Sequence, residues 1–227
     1  MIVRLFHIIP AIALLLFACH AKQKENNLRP SVTQNTSVNI TLDIQPFTGI
    51  TGREVNYVAE ALRKAYPLIT VKKTIPLPQT AYYAPRNRYR ADSLINFLSK
   101  QTPENHVTIG LTVKDISATK DKIADWGVMG LGFCPGNACI ASSFRLPRCE
   151  TPSRCQTVEN CKTLDQLYKV AIHEAGHTQG LPHCPVKYCF MRDAEGGNPT
   201  DEEKEFCSKC RVFLKAKGWN LPGKNSE

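Results

Sequence analysis

The segment His173-Glu174-Ala175-Gly176-His177-Thr178-Gln179-Gly180-Leu181-Pro182-His183 holds the residues best suited to chemistry. His173 and His177 are four residues apart, so on a helix their imidazoles share one face and are separated by about one turn. A catalytic zinc ion takes three protein ligands and keeps one position open. Gly180 lets the chain leave the helix, because glycine tolerates positive φ. Pro182 discourages its continuation. His183 is then placed to return as the third ligand. Glu174 beside the metal supplies a carboxylate base for zinc-activated water, and this set of groups hydrolyses amide bonds.

The same segment runs on into a second cluster. Cys184 and Cys189 are followed by Cys207 and Cys210. Four thiolates at these spacings suit a closed, structural zinc site. Two disulfides, or a redox Cys-x-x-Cys pair, would use the same residues. The position of Cys184 directly after His183 favours the metal, because it would couple the two sites. Five further cysteines, Cys134, Cys139, Cys149, Cys155 and Cys161, leave one thiol over after any two bridges. The last three fall in a polar stretch, 148–162, that reads as a stapled loop.

These residues need a scaffold, and apolar periodicity outlines one. Val38–Ile44 alternates as a strand, and Val55–Tyr66 has helical spacing. Leu68–Ile75 reads as a strand and Ala91–Leu98 as a helix. Val107–Val113 and Trp126–Phe133 read as buried strands. Ala138–Leu146 reads as a further strand close enough to the site to pair with an extended peptide. Leu164–Gln179 is the helix that carries the two histidines, and a last helix is expected from Thr200 to Lys217. The order implies an α/β (α+β) domain over 38–220, a mixed twisted sheet with helices packed on it, followed by a tail at 221–227. Tyr82, Tyr83 and Tyr89 are expected in a solvated loop.

The chain has 227 residues, 42% hydrophobic and 22% charged, which suits one domain with a real core. The net charge of +9 is scattered rather than interleaved with aromatics, so nucleic acid is not an expected partner. Residues 1–18 pair one Arg with an apolar run too short to span a bilayer, and read as a signal peptide. Leu16-Phe17-Ala18-Cys19 resembles a bacterial lipobox, with Cys19 as the lipidated residue and 19–37 as a polar tether. The expectation is an exported, lipid-anchored protein of a bacterial cell envelope, acting as a monomer on peptides or proteins.

From His173 to Met191, with the later Cys207/Cys210 pair, the sequence resembles the archaemetzincins, a branch of the metzincin zinc peptidases. Their pattern is HExxHxxGxxHC, four residues, Cys, one residue, Met, and later CxxC, and every position is matched. The resemblance implies a metzincin-like zincin fold and two zinc ions. The catalytic ion falls to His173, His177 and His183, and the structural ion to Cys184, Cys189, Cys207 and Cys210. It implies Glu174 as the base, Met191 as the Met-turn residue beneath the catalytic metal, and aminopeptidase-type activity. The chain departs from the family in a shorter spacer between Met191 and Cys207, in the five extra cysteines, and in the apparent signal peptide. The competing class is a non-enzymatic, zinc-stabilised binding or structural lipoprotein, and an intact Glu174 argues against it.

Overall fold

A computed structural model describes residues 40–147, 162–219 and 221. Cys19 and the Cys149/Cys155/Cys161 loop therefore lie outside the described residues. The main sheet has five strands in the order β2-β1-β5-β9-β8. These are β1 (Thr41–Pro46), β2 (Ile69–Val71), β5 (His106–Thr112), β8 (Gly130–Gly132) and β9 (Ala138–Ser142). The first four strands in that order run parallel, and β8 runs antiparallel along β9.

Helices cover both faces, which is why the central strands read as nearly continuous apolar runs. On one face Leu42, Ile44, Ile109, Cys139 and Ala141 pack with α1 (Gly52–Arg63) and α3 (Lys162–Thr178). On the other, Ala138 and Ile140 pack with Leu94, Ile95 and Leu98 of α2 (Ala91–Ser99). The alternation of 138 and 140 against 139 and 141 is the period of two expected of a strand. α1 begins at a capping box: Thr51 accepts from the Glu54 N–H while Glu54 accepts from the Thr51 N–H. Asp43, buried on β1, receives Lys72 at 2.9 Å and the His106 Nδ1 at 2.8 Å, so one carboxylate ties together the edge and centre of the sheet.

A smaller sheet was not evident from the sequence. It runs β3-β4-β6-β7, with β3 at Tyr82–Tyr83, β4 at Arg88–Arg90, β6 at Ile116–Lys120 and β7 at Ile123–Val128. Tyr82, Tyr83 and Tyr89, expected in a loop, form its first two strands, and the rings of Tyr82 and Tyr89 lie 5.3 Å apart. The expected strand over 126–133 is really two. β7 pairs with β6 and β8 with β9, and the chain changes sheets at Met129. Ala138–Ser142 is an interior strand, so it has no free edge for a peptide. That edge belongs to β8.

The expected helix from Thr200 is a 3-10 turn at Pro199–Asp201, an extended segment, and then α4 (Ser208–Ala216). The extended part is needed for pairing. Phe190 N–H donates to the Glu205 carbonyl at 3.0 Å, and Cys189 bridges to Glu205.

Candidate metal and active site

α3 brings His173, Glu174 and His177 to the wall of a cavity of about 680 Å³. The helix ends as the glycine spacing implied. Gly180 has φ +97°, its N–H donates to the His177 carbonyl, and the Leu181 N–H donates to the Gly176 carbonyl. This is a Schellman turn, in which glycine supplies the left-handed residue. It turns the Leu181 carbonyl back to accept the His177 Nδ1–H at 2.7 Å. The Cys134 thiol donates to the same carbonyl at 3.3 Å.

Each of the three imidazoles has its Nδ1 engaged. His173 donates to the Phe190 carbonyl at 2.6 Å, and His183 lies 3.2 Å from Asp193. With the Nδ1–H groups committed to oxygens, the Nε2 atoms present bare lone pairs. Those of His173 and His177 are 3.0 Å apart, and neither has a proton to give the other. All three histidines offer ligand atoms within 4.8 Å of one another. Burial holds His173 down to about 3, helped by the neighbouring His177, and burial likewise lowers His177. Converging imidazoles of this kind fit a divalent cation, and their chemistry suits zinc.

Glu174 is buried and lines the same cavity. Burial pushes its carboxyl up to about 8. A divalent cation among the histidines is the charge that would bring it back down. Gly130 and Gly132 of β8 allow it this position. A β-carbon at Gly130 would meet Glu174 Oε1 at 2.6 Å, and one at Gly132 would meet the Glu174 carbonyl oxygen at 2.7 Å. The sequence reading missed both glycines, although the alternation Gly-Leu-Gly within an apolar run was a signal of close backbone approach.

Met191 is fully buried beneath α3. A β-carbon at Gly176 would lie 2.4 Å from Met191 Sδ, so the glycine between the two helical histidines is what admits the thioether. Behind this turn, Cys184, Cys189, Cys207 and Cys210 place four sulfur atoms within 4.8 Å of one another. None of the six described cysteines is bridged, and Cys184 and Cys207 stand 3.6 Å apart, against about 2.05 Å for a disulfide. The Cys207 N–H donates to Cys189 Sγ at 3.3 Å. Burial pushes the Cys189 thiol up to about 11 and raises that of Cys210, so a cation is needed to draw off their protons. The donor set fits a closed tetrahedral zinc site. Tyr82, Tyr83 and Tyr89 do not line the cavity, whereas Trp126, Arg192, Asp193 and Glu203 do.

A mixed sheet with an antiparallel strand against an HExxH helix, and a third histidine beyond a glycine turn, defines a zinc metallopeptidase. The sequence profile of peptidase family M54 matches residues 39–216. The archaemetzincin of Haloquadratum walsbyi is 27% identical over 175 residues, covering 76% of this chain and 98% of that protein. That of Methanopyrus kandleri is 31% identical over 144 residues, 63% of this chain and 75% of the relative. The crystal structure of the Methanopyrus kandleri archaemetzincin superposes with a TM-score of 0.65 at 27% identity, over 82% of this chain and 98% of that one. The Archaeoglobus fulgidus archaemetzincin, crystallised with malonate, gives 0.62 at 26% identity, over 77% and 99%. The chain belongs to peptidase family M54, the archaemetzincins.

Proposed function

We propose that this peptidase hydrolyses peptide bonds with Glu174 as its general base, on substrates that enter along β8. His173, His177 and His183 would hold the catalytic zinc ion, and Cys184, Cys189, Cys207 and Cys210 a second, structural one. Zinc bound by three histidines supplies Lewis acidity, lowering the pKa of water and polarising a carbonyl. Glu174 takes the proton of the attacking water and then passes it to the leaving amine nitrogen. Its side chain packs against Gly130 and Gly132 of β8 and lines the cavity that the three histidines also line. The unpaired edge of β8 offers main-chain N–H and C=O groups with which an extended peptide adds as a further strand. The convergence of three bare Nε2 atoms beside one buried carboxylate is the observation that carries this reading.

Aminopeptidase-type trimming rests on the family resemblance. Residues 1–19 support export and lipid anchoring at Cys19 in a bacterial envelope. The test is cleavage of a mixed peptide library by the zinc-loaded protein, with and without chelator, beside the Glu174→Gln variant. Chelator-sensitive cleavage that the variant loses is the expected result. Absence of any cleavage by the zinc-loaded wild type would overturn it.

A further inference from the structure

The cavity wall contains a second carboxylate that the hydrolytic chemistry does not use. Glu203 is only 3% exposed and lines the same cavity as the histidines. Among the described residues no group donates a hydrogen bond to it. The cavity's cations are committed elsewhere. Lys169 Nζ donates to the Thr200 carbonyl at 2.8 Å and to Asp165 at 2.7 Å. Arg192 pairs with Glu202 at 2.7 Å. Arg145 pairs with Asp115 at 2.8 Å, and Lys120 lies over the Trp126 ring. The neighbouring carboxylate Asp193 already faces His183. Glu203 thus presents acceptor oxygens with no donor among the described residues at the wall of the cavity, where a ligand can supply one.

We infer that Glu203 is a specificity-determining residue that receives a cationic nitrogen of the substrate, an ammonium or guanidinium group with N–H donors. This inference rests on the peptidase reading, because it treats the cavity as the place where a peptide binds. Glu203 lies on the segment that follows Met191, and Lys169, its neighbour on α3, is one turn before His173. The cation would therefore sit to one side of the three histidines, in the direction of the helix start. Burial pushes Glu203 up to about 7, while Lys169 and Arg192 oppose the rise, and a bound cation would favour its ionised form further. Two parts of a peptide carry such a nitrogen: a Lys or Arg side chain, and the free N-terminus.

The test uses the full zinc-loaded chain carrying Glu174→Gln, so that binding is read without turnover. Four sets of short peptides are compared by calorimetry. They carry lysine or its uncharged isostere norleucine, scanned along the peptide, and each set has a free or an acetylated N-terminus. A charge-assisted contact in a buried site implies about tenfold or greater preference for the cationic partner. Preference for lysine among acetylated peptides assigns the side chain, and preference for the free terminus among norleucine peptides assigns the α-amine. In either case Glu203→Gln should abolish the preference. Glu203→Asp, which keeps the charge one methylene farther back, should leave it weakened, and covers poor folding of the amide variant. No cation preference in the parent, or one that persists unchanged in Glu203→Gln, overturns the inference. Absence of cleavage by the Glu174-containing protein, with the preference intact, would overturn the hydrolytic reading alone.

Discussion

His173 Nδ1 donates to the Phe190 carbonyl at 2.6 Å, and Phe190 stands between Cys189 of the thiol cluster and Met191 of the buried turn. The orientation of one imidazole of the histidine cluster is therefore set by a backbone segment whose neighbouring residue belongs to the cysteine cluster. A second link runs through the adjacent pair His183 and Cys184, whose peptide belongs to both clusters.

Cys189→Ser should consequently affect both sites. Metal analysis of the purified wild type should give two zinc ions per chain, and of the variant one. The remaining ion should be held about 10–100-fold less tightly, because outer-shell groups that orient a ligand carry that much affinity. Unchanged affinity at the histidine site would show that the two clusters are independent.

Glu174→Gln removes the proton acceptor and leaves the three imidazoles in place. Zinc content should stay the same and kcat/KM should fall by about 10²–10⁴-fold, the usual span for loss of a general base. Loss of metal together with activity would instead make Glu174 a structural support of the site.

Gly176→Ala forces a methyl toward Met191 Sδ, to 2.4 Å if nothing moves. Overpacking of this kind costs about 1–3 kcal/mol. Chemical denaturation should show that loss. The double variant Gly176→Ala/Met191→Ala should lose less than the sum of the two single changes, because each truncation or insertion acts on the same contact.

Stability should also vary with pH through Glu203. Its carboxyl sits near 7 when folded, against the ordinary 4.5, because burial disfavours the charge. Below the ordinary value both folded and unfolded chains hold the proton, and nothing is lost. Between 4.5 and about 7 the unfolded chain releases it first, so the folded state loses stability as pH rises. Lys169 and Arg192 are the charges that face it and limit the effect. Glu203→Gln should match the wild type near pH 4.5 and exceed its Tm by roughly a few degrees at pH 8. Parallel melting curves across that range check the sign.

The histidine cluster was legible because its spacing is local, and the cysteine cluster because each of its two pairs is short in sequence, although the pairs meet only through the tertiary bridge of Cys189 to Glu205. Four residues on a helix, a glycine, and a return within six residues of His177 bring the three imidazoles together with little reference to the rest of the fold. α1 and α2 were legible for the same reason, since Val55, Val58, Ala59 and Leu62 repeat with helical period. The small sheet was not. β3 and β4 are two and three residues long, and β4, Arg-Tyr-Arg, is held by non-local ion pairs of Arg88 with Asp115 at 3.1 Å and Asp125 at 3.3 Å. No apolar alternation announces strands stabilised that way. The start of the last helix was misplaced because Thr200-Asp-Glu-Glu looks like a helix N-terminus. Tertiary pairing of Glu205 with Phe190 keeps the chain extended until Cys207. Glu203 was passed over because a lone glutamate in an acidic run reads as solvated, and only burial distinguishes it.

The two glycines of β8 have a consequence for mutational tolerance. Gly130 and Gly132 face the backbone and carboxylate of the helix that holds Glu174, and Leu131 between them points to the opposite layer, against the α2 side. In a saturation scan selected for activity, positions 130 and 132 should be almost blank while 131 accepts several apolar residues. The fingerprint would be two invariant columns separated by one permissive column, and a library of survivors would record it without any coordinates.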